Sequence, residues 1–307
     1  MTNTQSQAQG SNGKGVEPDE KKIIDSDKLV FVFGIYSRTG TNFIGRILTS
    51  HKEICRPQGH WELPILDVSD QYLNFFYDFD ARREPGRLNY GIKDFCRIFG
   101  EGMLQLMYDR VEVNKDAKYI VQKNPGTIGL ENFRLFFPNA KLIILTRDGK
   151  DVMNSYLSAS YLTNQKFNPK RYYIGLRFCL NFRNSILRIL DFISKQPENT
   201  ILIRYEDLTN NLQPSLYKIA EFLEIEPYKE WQDACINLTV KGSNFYNKAD
   251  DVGGFVEKGN GTNWQEQKKT ESFKPIGRYK KFLNFIDLLI FSLVVRKPER
   301  SLEKIEL

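Results

Sequence analysis

The 307-residue sequence contains few of the residues that metal- and histidine-dependent enzymes need. It has two histidines, His51 and His60. A metal site built from several histidines is therefore excluded, and we expect no metal. Its cysteines are far apart, without a C-x-x-C pair, which predicts reduced core thiols and a cytoplasmic location rather than a disulfide framework. The four cysteines are Cys55, Cys96, Cys179 and Cys235.

Long apolar runs are also missing. No run reaches the roughly 18–20 residues that span a bilayer, and the amino terminus shows no secretory signal. The nearest candidate, segment 282–295, is interrupted by polar residues and flanked by basic ones. We interpret it first as a packed terminal helix. The alternative is a helix that lies on a membrane surface, which would make membrane contact peripheral.

Charge of one sign is only in small excess. The chain has 44 basic and 38 acidic residues, so its net charge is +6. This balance suits an anionic ligand but is too weak to indicate nucleic acid, and we expect no nucleic-acid partner. Oligomeric state cannot be deduced from the sequence.

Composition divides the chain into three parts. Residues 1–27 are polar, which predicts a disordered tail. Residues 28–270 are predicted to form one domain, and residues 271–307 a basic helical extension. Within the domain, short apolar runs alternate with helical patterns, which predicts an α/β fold with a central parallel sheet and helices on both faces.

The predicted elements follow from these patterns. Strands are expected at 29–33, 118–122, 141–146 and 199–204, with an edge strand at 89–95. Helices are expected at 41–48, 100–113, 129–137 and 212–223. A helix start is expected at 148–152, and either one long helix or a helix pair at 169–195. Because ligands of such sheets lie beyond the carboxyl ends of the strands, polar residues that follow strand ends should converge on one rim.

The loop after the first strand has the composition of an anion site. Gly34 and Gly40 allow a sharp turn, and the following helix directs its N–H groups and dipole at the loop. Arg38 adds a forked cation. The Walker pattern does not fit, because Gly40 stands one position too far from Gly34 and no lysine follows it. A tight turn without a ligand is the alternative.

The order Arg38-Thr39-Gly40-Thr41 resembles the 5′-phosphosulfate loop of the sulfotransferases. These enzymes take a sulfuryl group from 3′-phosphoadenosine 5′-phosphosulfate (PAPS) and release 3′-phosphoadenosine 5′-phosphate (PAP). The resemblance implies a P-loop-like phosphosulfate-binding loop in which Arg38 and the backbone N–H groups of Thr39, Gly40, Thr41 and Asn42 hold the 5′-phosphate.

Three later stretches follow the order of the same family. The segment 147–156, RDGKDVMNSY, resembles its 3′-phosphate motif, which assigns that phosphate to Arg147 and Ser155. The segment 205–208, YEDL, resembles the stretch whose tyrosine lies near the adenine, here Tyr205. Lys258 and Gly259, followed by a tryptophan, resemble the element that closes over the 3′-phosphate. Two departures occur there, a glutamate at 257 and a threonine at 262.

The resemblance also implies the reacting groups. Lys123 stands where the family has a strand-end lysine that faces the sulfuryl group. The histidine that follows this lysine in the phenol-sulfating branch is absent, because Asn124 and Pro125 come next. Other branches use a glutamate shortly after the loop helix, so Glu62 is the expected general base, with His60 in reserve.

The expected function is transfer of a sulfuryl group from PAPS to a hydroxyl acceptor, without a metal. A carbohydrate, a lipid or a natural product is favoured over a phenol. Two alternatives are an ATP-dependent phosphotransferase and a non-catalytic module that binds adenosine phosphates or anions.

Overall fold

The computed structural model describes residues 26–56, 62, 64–82, 91–108, 117–160, 168–238, 245–246, 254–255 and 276–305. A parallel five-stranded sheet organises this part of the chain, with strand order β2-β3-β1-β4-β5. Its strands are β1 (Leu29–Gly34), β2 (Ile54–Cys55), β3 (Tyr119–Asn124), β4 (Lys141–Thr146) and β5 (Thr200–Arg204). A two-stranded antiparallel ribbon joins β6 (Phe245–Tyr246) to β7 (Gly254–Phe255).

The helices are α1 (Thr41–Thr49), α2 (Ser69–Ala81), α3 (Ile92–Tyr108), α4 (Phe133–Phe136), α5 (Gly149–Ala159), α6 (Pro169–Lys195), α7 (Tyr205–Asn210), α8 (Leu212–Leu223), α9 (Lys229–Ile236), α10 (Tyr279–Phe282), α11 (Phe285–Val294) and α12 (Arg296–Leu302). Short 3₁₀ turns occur at Ser26–Lys28, Pro64–Val68 and Leu130–Asn132.

The central strand β1 is buried on both faces. Phe31 and Phe33 point into one hydrophobic core, and Val30 and Val32 point into a second core on the other face. Successive side chains of a strand alternate between faces, so an uninterrupted apolar run supplies both cores. The predicted α/β fold with helices on both faces of one parallel sheet is confirmed.

Four of the predicted strands are present, whereas the predicted edge strand at 89–95 is wrong. Its described residues 92–95 lie in α3, which therefore begins well before residue 100. Ile92, Phe95 and Phe99 contact the first core at helical spacing. A short apolar run alone does not distinguish this spacing from that of a strand. The edge strand is instead the two-residue β2, paired with β3.

The C-terminal helices pack into the first core, against α6 and α5. A buried ion pair joins Arg171 of α6 to Asp287 of α11, with Nη2 to Oδ2 at 2.6 Å. Asp287 also forms a capping box with Asn284 at the start of α11. Within the described ranges, no helix combines the length and apolar character needed to cross a membrane.

Candidate active site

The loop between β1 and α1 lies at the carboxyl edge of the sheet and depends on Gly40. This glycine has φ of +111°, in the left-handed region that disfavours side chains. A Cβ built there would lie 2.5 Å from the Tyr205 ring. The Thr39 hydroxyl is buried and donates to the Tyr36 carbonyl, which stabilises the turn from inside. Thr39 can therefore offer a ligand its backbone N–H only.

The N-terminus of α1 has no side-chain cap, and its first turn carries no acidic residue. The N–H groups of Thr41 and Asn42 open the helix, where a helix offers no acceptor of its own. These N–H groups and the helix dipole are the features for which an anion site is predicted here.

Arg38 stands in this loop with φ of +75°. Its Nη2 atom is buried and has no hydrogen-bond partner among the described residues. Burial lowers the pKa of Arg38, and the nearby Arg147 guanidinium lowers it further. A buried guanidinium beside a second one fits an anion that both could contact.

Arg147 follows β4 and reaches across to the loop. Its Nη1 donates to the Arg38 carbonyl at 3.0 Å. Its guanidinium carbon also lies 4.3 Å from the centroid of the Tyr205 ring, in a cation–π contact. Tyr205 is buried at the start of α7, and burial raises the pKa of its hydroxyl. The structure therefore brings Arg38, Arg147 and Tyr205 together.

The N-terminus of α5, directly after Arg147, is surrounded by carboxylates. The N–H of Asp148 donates to Glu206 at 2.9 Å, and the N–H of Gly149 donates to Glu299 at 2.9 Å. Asp148 caps the helix by accepting from the Lys150 N–H at 2.8 Å. These N–H groups are thus occupied by protein acceptors, and the Arg147 side chain points from this turn toward the β1–α1 loop.

Two carboxylates of this arrangement have raised pKa values. Burial raises the pKa of Glu299 to about 7, against the lowering effect of its bond from Gly149. Burial also raises the pKa of Glu206. Sequence reasoning missed both residues. Glu206 stood inside the recognised 205–208 motif, whereas Glu299 lies 150 positions beyond Gly149 and no local pattern marked it.

Lys123 and Glu62 form a second cluster, at the end of β3. A parallel β-bridge joins the two residues, and Lys123 Nζ lies 2.6 Å from Glu62 Oε1. The lysine side chain is 6% exposed and the glutamate side chain 58% exposed. The pair therefore presents a carboxylate to solvent and a nearly buried ammonium behind it.

A model of the "Sulfotransferase family" matches residues 30–230. The chain belongs to the sulfotransferase family. The matched residues include the β1–α1 loop, Lys123, Arg147 and Tyr205, so these site residues lie within the region that defines the family.

Two curated relatives are protein-tyrosine sulfotransferases. The chain is 24% identical to protein-tyrosine sulfotransferase A of Caenorhabditis elegans over 213 residues, which are 68% of this chain and 52% of the relative. It is 24% identical to the Drosophila melanogaster protein over 217 residues, 68% of this chain and 40% of that one. The sulfotransferase chain thus spans about half the length of these relatives.

A solved mouse sulfotransferase in complex with PAP has the same fold. The two structures superpose with a TM-score of 0.50, and their sequences are 13% identical. The superposition covers 91% of this chain and 89% of the mouse chain. At this identity the likeness concerns the fold alone.

The remaining predicted site residues are placed as follows. Ser155 is half-buried in α5, two turns after Arg147. His60, Lys258 and Gly259 lie outside the described residues. Their predicted roles stay predictions.

Proposed function

We propose that this sulfotransferase-family chain transfers a sulfuryl group from PAPS to a hydroxyl acceptor and releases PAP. The observation that carries the proposal is the pair of guanidinium groups, Arg38 and Arg147, held together beside the uncapped start of α1. Like charges repel and burial removes their hydration, so the arrangement costs free energy unless an anion binds between them.

The donor would bind along this rim. Arg38 and the N–H groups of residues 39–42 would hold the 5′-phosphate, and Arg147 with Ser155 the 3′-phosphate. Tyr205 would lie near the adenine, and Lys258 and Gly259 would close over the 3′-phosphate.

In the reaction, the acceptor oxygen forms a bond to sulfur as the bond between sulfur and the 5′-phosphate oxygen breaks. Glu62 would take the proton of the acceptor hydroxyl. Lys123, fixed against Glu62, would offset charge on the moving group, and Arg38 charge on the leaving phosphate. His60 is the reserve base.

The acceptor is proposed only as a class. The relatives' names point to tyrosine hydroxyls in those proteins, and the absent histidine after Lys123 favours a carbohydrate, a lipid or a natural product here. A reducing, cytoplasmic compartment agrees with the four cysteines, all among the described residues, none of which forms a disulfide and three of which are buried.

Calorimetric titration with PAP, run beside ATP plus magnesium, tests donor binding. We expect PAP to bind the wild type and Arg147→Ala to weaken that binding at least about tenfold, because a charge-assisted phosphate contact is lost. Arg188→Ala, an exposed arginine on α6, is the matched control and should bind as the wild type does. The proposal would be contradicted if the protein preferred ATP, or if Arg147→Ala bound PAP as tightly as the wild type does.

Turnover of PAPS with a panel of hydroxyl acceptors tests the base. Glu62→Gln should lower turnover at least about a hundredfold while PAP affinity is kept. Equal turnover of the variant would exclude Glu62, and binding of PAP without transfer to any acceptor would indicate a non-catalytic module.

A further inference from the structure

Helix α11 has one buried face and an opposite face that exposes apolar side chains. One face is buried in the core through Phe291 and through Asp287, which pairs with Arg171. The other face exposes large apolar side chains. Their exposed fractions are 77% for Phe285, 38% for Ile286, 45% for Leu289 and 78% for Leu293.

The spacing of these residues places them on one surface. Phe285, Leu289 and Leu293 are four positions apart, so they share a helix face, and Ile286 lies beside them. We call these four residues the α11 face. An apolar surface of this kind on a helix whose opposite side is already packed indicates a further binding partner.

Basic residues lie at both ends of the α11 face. Segment 276–305 contains seven basic and three acidic residues, a net charge of 7 − 3 = +4. Two of its three carboxylates are engaged: Asp287 is buried with Arg171, and Glu299 accepts from Gly149. The exposed basic residues of the segment are Lys280, Lys281, Arg296, Lys297, Arg300 and Lys304.

The α11 face is held firmly by the body of the protein. The buried Arg171–Asp287 pair and the capping box with Asn284 hold the start of the helix. Val295 and Leu302, after the helix, are buried in the core. The exposed side chains are therefore presented by a packed helix and not by a frayed end.

We propose that the α11 face binds an anionic lipid surface, with its apolar side chains in the interfacial region and the flanking basic residues on the headgroups. This proposal goes beyond sulfuryl transfer and does not depend on it. A short helix with aromatic and leucine side chains between basic clusters has the chemistry of an interfacial segment.

A second copy of the chain fits the α11 face less well. In a two-fold dimer the same surface meets itself, so the basic clusters of both copies would approach one another. The ten-residue helix is also only about 15 Å long, short for the roughly 800 Å² that each partner of a stable dimer buries.

Vesicle flotation tests the proposal with the full chain. Vesicles of phosphatidylcholine alone are compared with vesicles containing phosphatidylserine. We expect binding to the anionic vesicles only, weakened in high salt because screening removes the attraction to the headgroups. Leu293→Glu should lower the bound fraction at least about tenfold, since it removes an apolar contact and adds a negative charge.

The matched control is Tyr217→Glu, at a residue 48% exposed on α8. This helix packs on the opposite face of the sheet, so Tyr217→Glu should bind vesicles as the wild type does. Circular dichroism and thermal unfolding establish whether both variants fold. If Leu293→Glu does not fold, Phe285→Ser takes its place.

Three results would overturn the proposal. One is failure of the wild type to bind anionic vesicles. Another is equal vesicle binding by wild type and Leu293→Glu. The last is a dimer in light scattering that dissociates in Leu293→Glu while vesicles are not bound, which would assign the α11 face to a second copy.

Discussion

Two of the strand–loop–helix turns at the carboxyl edge of the sheet, after β1 and after β4, satisfy their helix N-termini in opposite ways. After β1, helix α1 begins at Gly40 without a side-chain cap and without an acid in its first turn. After β4, helix α5 begins with Asp148 as its cap, and the N–H groups of Asp148 and Gly149 donate to Glu206 and Glu299.

The difference assigns different tasks to the two turns. In the proposed donor site, the first turn supplies N–H groups to the phosphate. The second turn satisfies its N–H groups within the protein and would supply an arginine side chain instead. The Arg147 guanidinium contacts the Arg38 carbonyl and the Tyr205 ring, and its positive charge also opposes the rise that burial causes in the pKa of Glu206. Strand–loop–helix geometry alone therefore does not identify a ligand site.

The largest effect is expected from Gly40→Ala, which breaks the first turn. The positive φ and the Tyr205 ring 2.5 Å from a new Cβ both oppose a side chain there. Either the loop or Tyr205 must move, so calorimetry should show PAP affinity reduced about a hundredfold or more. Gly102→Ala in α3 is the control, because its Cβ meets nothing within 4 Å. An unchanged affinity in Gly40→Ala would show that the loop does not bind the phosphate.

Arg38→Met should separate binding from stability. It removes a buried cation that lies beside Arg147, so the free energy of unfolding should rise by about 1 kcal/mol in the absence of ligand. Turnover with PAPS should fall by roughly 10²- to 10³-fold, the usual cost of a preorganised donor. Thermal unfolding and initial rates measure the two quantities. Arg188→Met serves as the exposed control, and a variant both less stable and fully active would contradict this account of Arg38.

Glu299→Gln should change the pH dependence of the free energy of unfolding. The pKa of Glu299 is raised from 4.5 to about 7 in the folded protein, so between these pH values the folded state binds more protons than the unfolded state. Its contribution to stability is thus present in acid and lost as the pH rises through about 7.

The glutamine cannot ionise but can still accept from Gly149. Its stability relative to the wild type should therefore increase from pH 5 to pH 8, by at most about 3 kcal/mol. Denaturant unfolding across this range measures the difference, with Glu230→Gln, at an exposed position on α9, as the control. A constant difference at all pH values would mean that Glu299 does not titrate in this window.

The smallest effect is expected from Asp148→Ala, which removes the cap of α5 and a partly exposed ion pair, with Lys150 Nζ 3.5 Å from Asp148 Oδ2. Loss of the bond from the Lys150 N–H should cost about 1 kcal/mol of unfolding free energy. Asp148→Asn keeps a capping oxygen and should cost much less. If PAP affinity fell in Asp148→Ala as far as in Arg147→Ala, the division of tasks between cap and arginine would be wrong.

Much of the fold followed from local patterns. The four long strands, α1, α6 and α8 were predictable because uninterrupted apolar runs and helical spacing reflect burial directly. The edge strand β2 was not, since two residues carry too little pattern. Residues 92–95 were misassigned because an apolar run this short fits a strand or a helix equally well.

The sequence by itself was enough to identify the candidate site residues that follow strand ends. These are Arg38, Gly40, Lys123, Arg147 and Tyr205. Strand ends converge in any parallel sheet, so their order along the chain was sufficient. Only the tertiary structure decided which partners they have. Glu299 reaches the Arg147 turn because α12 packs on α6, and Glu62 reaches Lys123 through a single β-bridge. Such contacts join distant parts of the chain through packing. They could not be predicted, because packing between distant segments has no local pattern in the sequence.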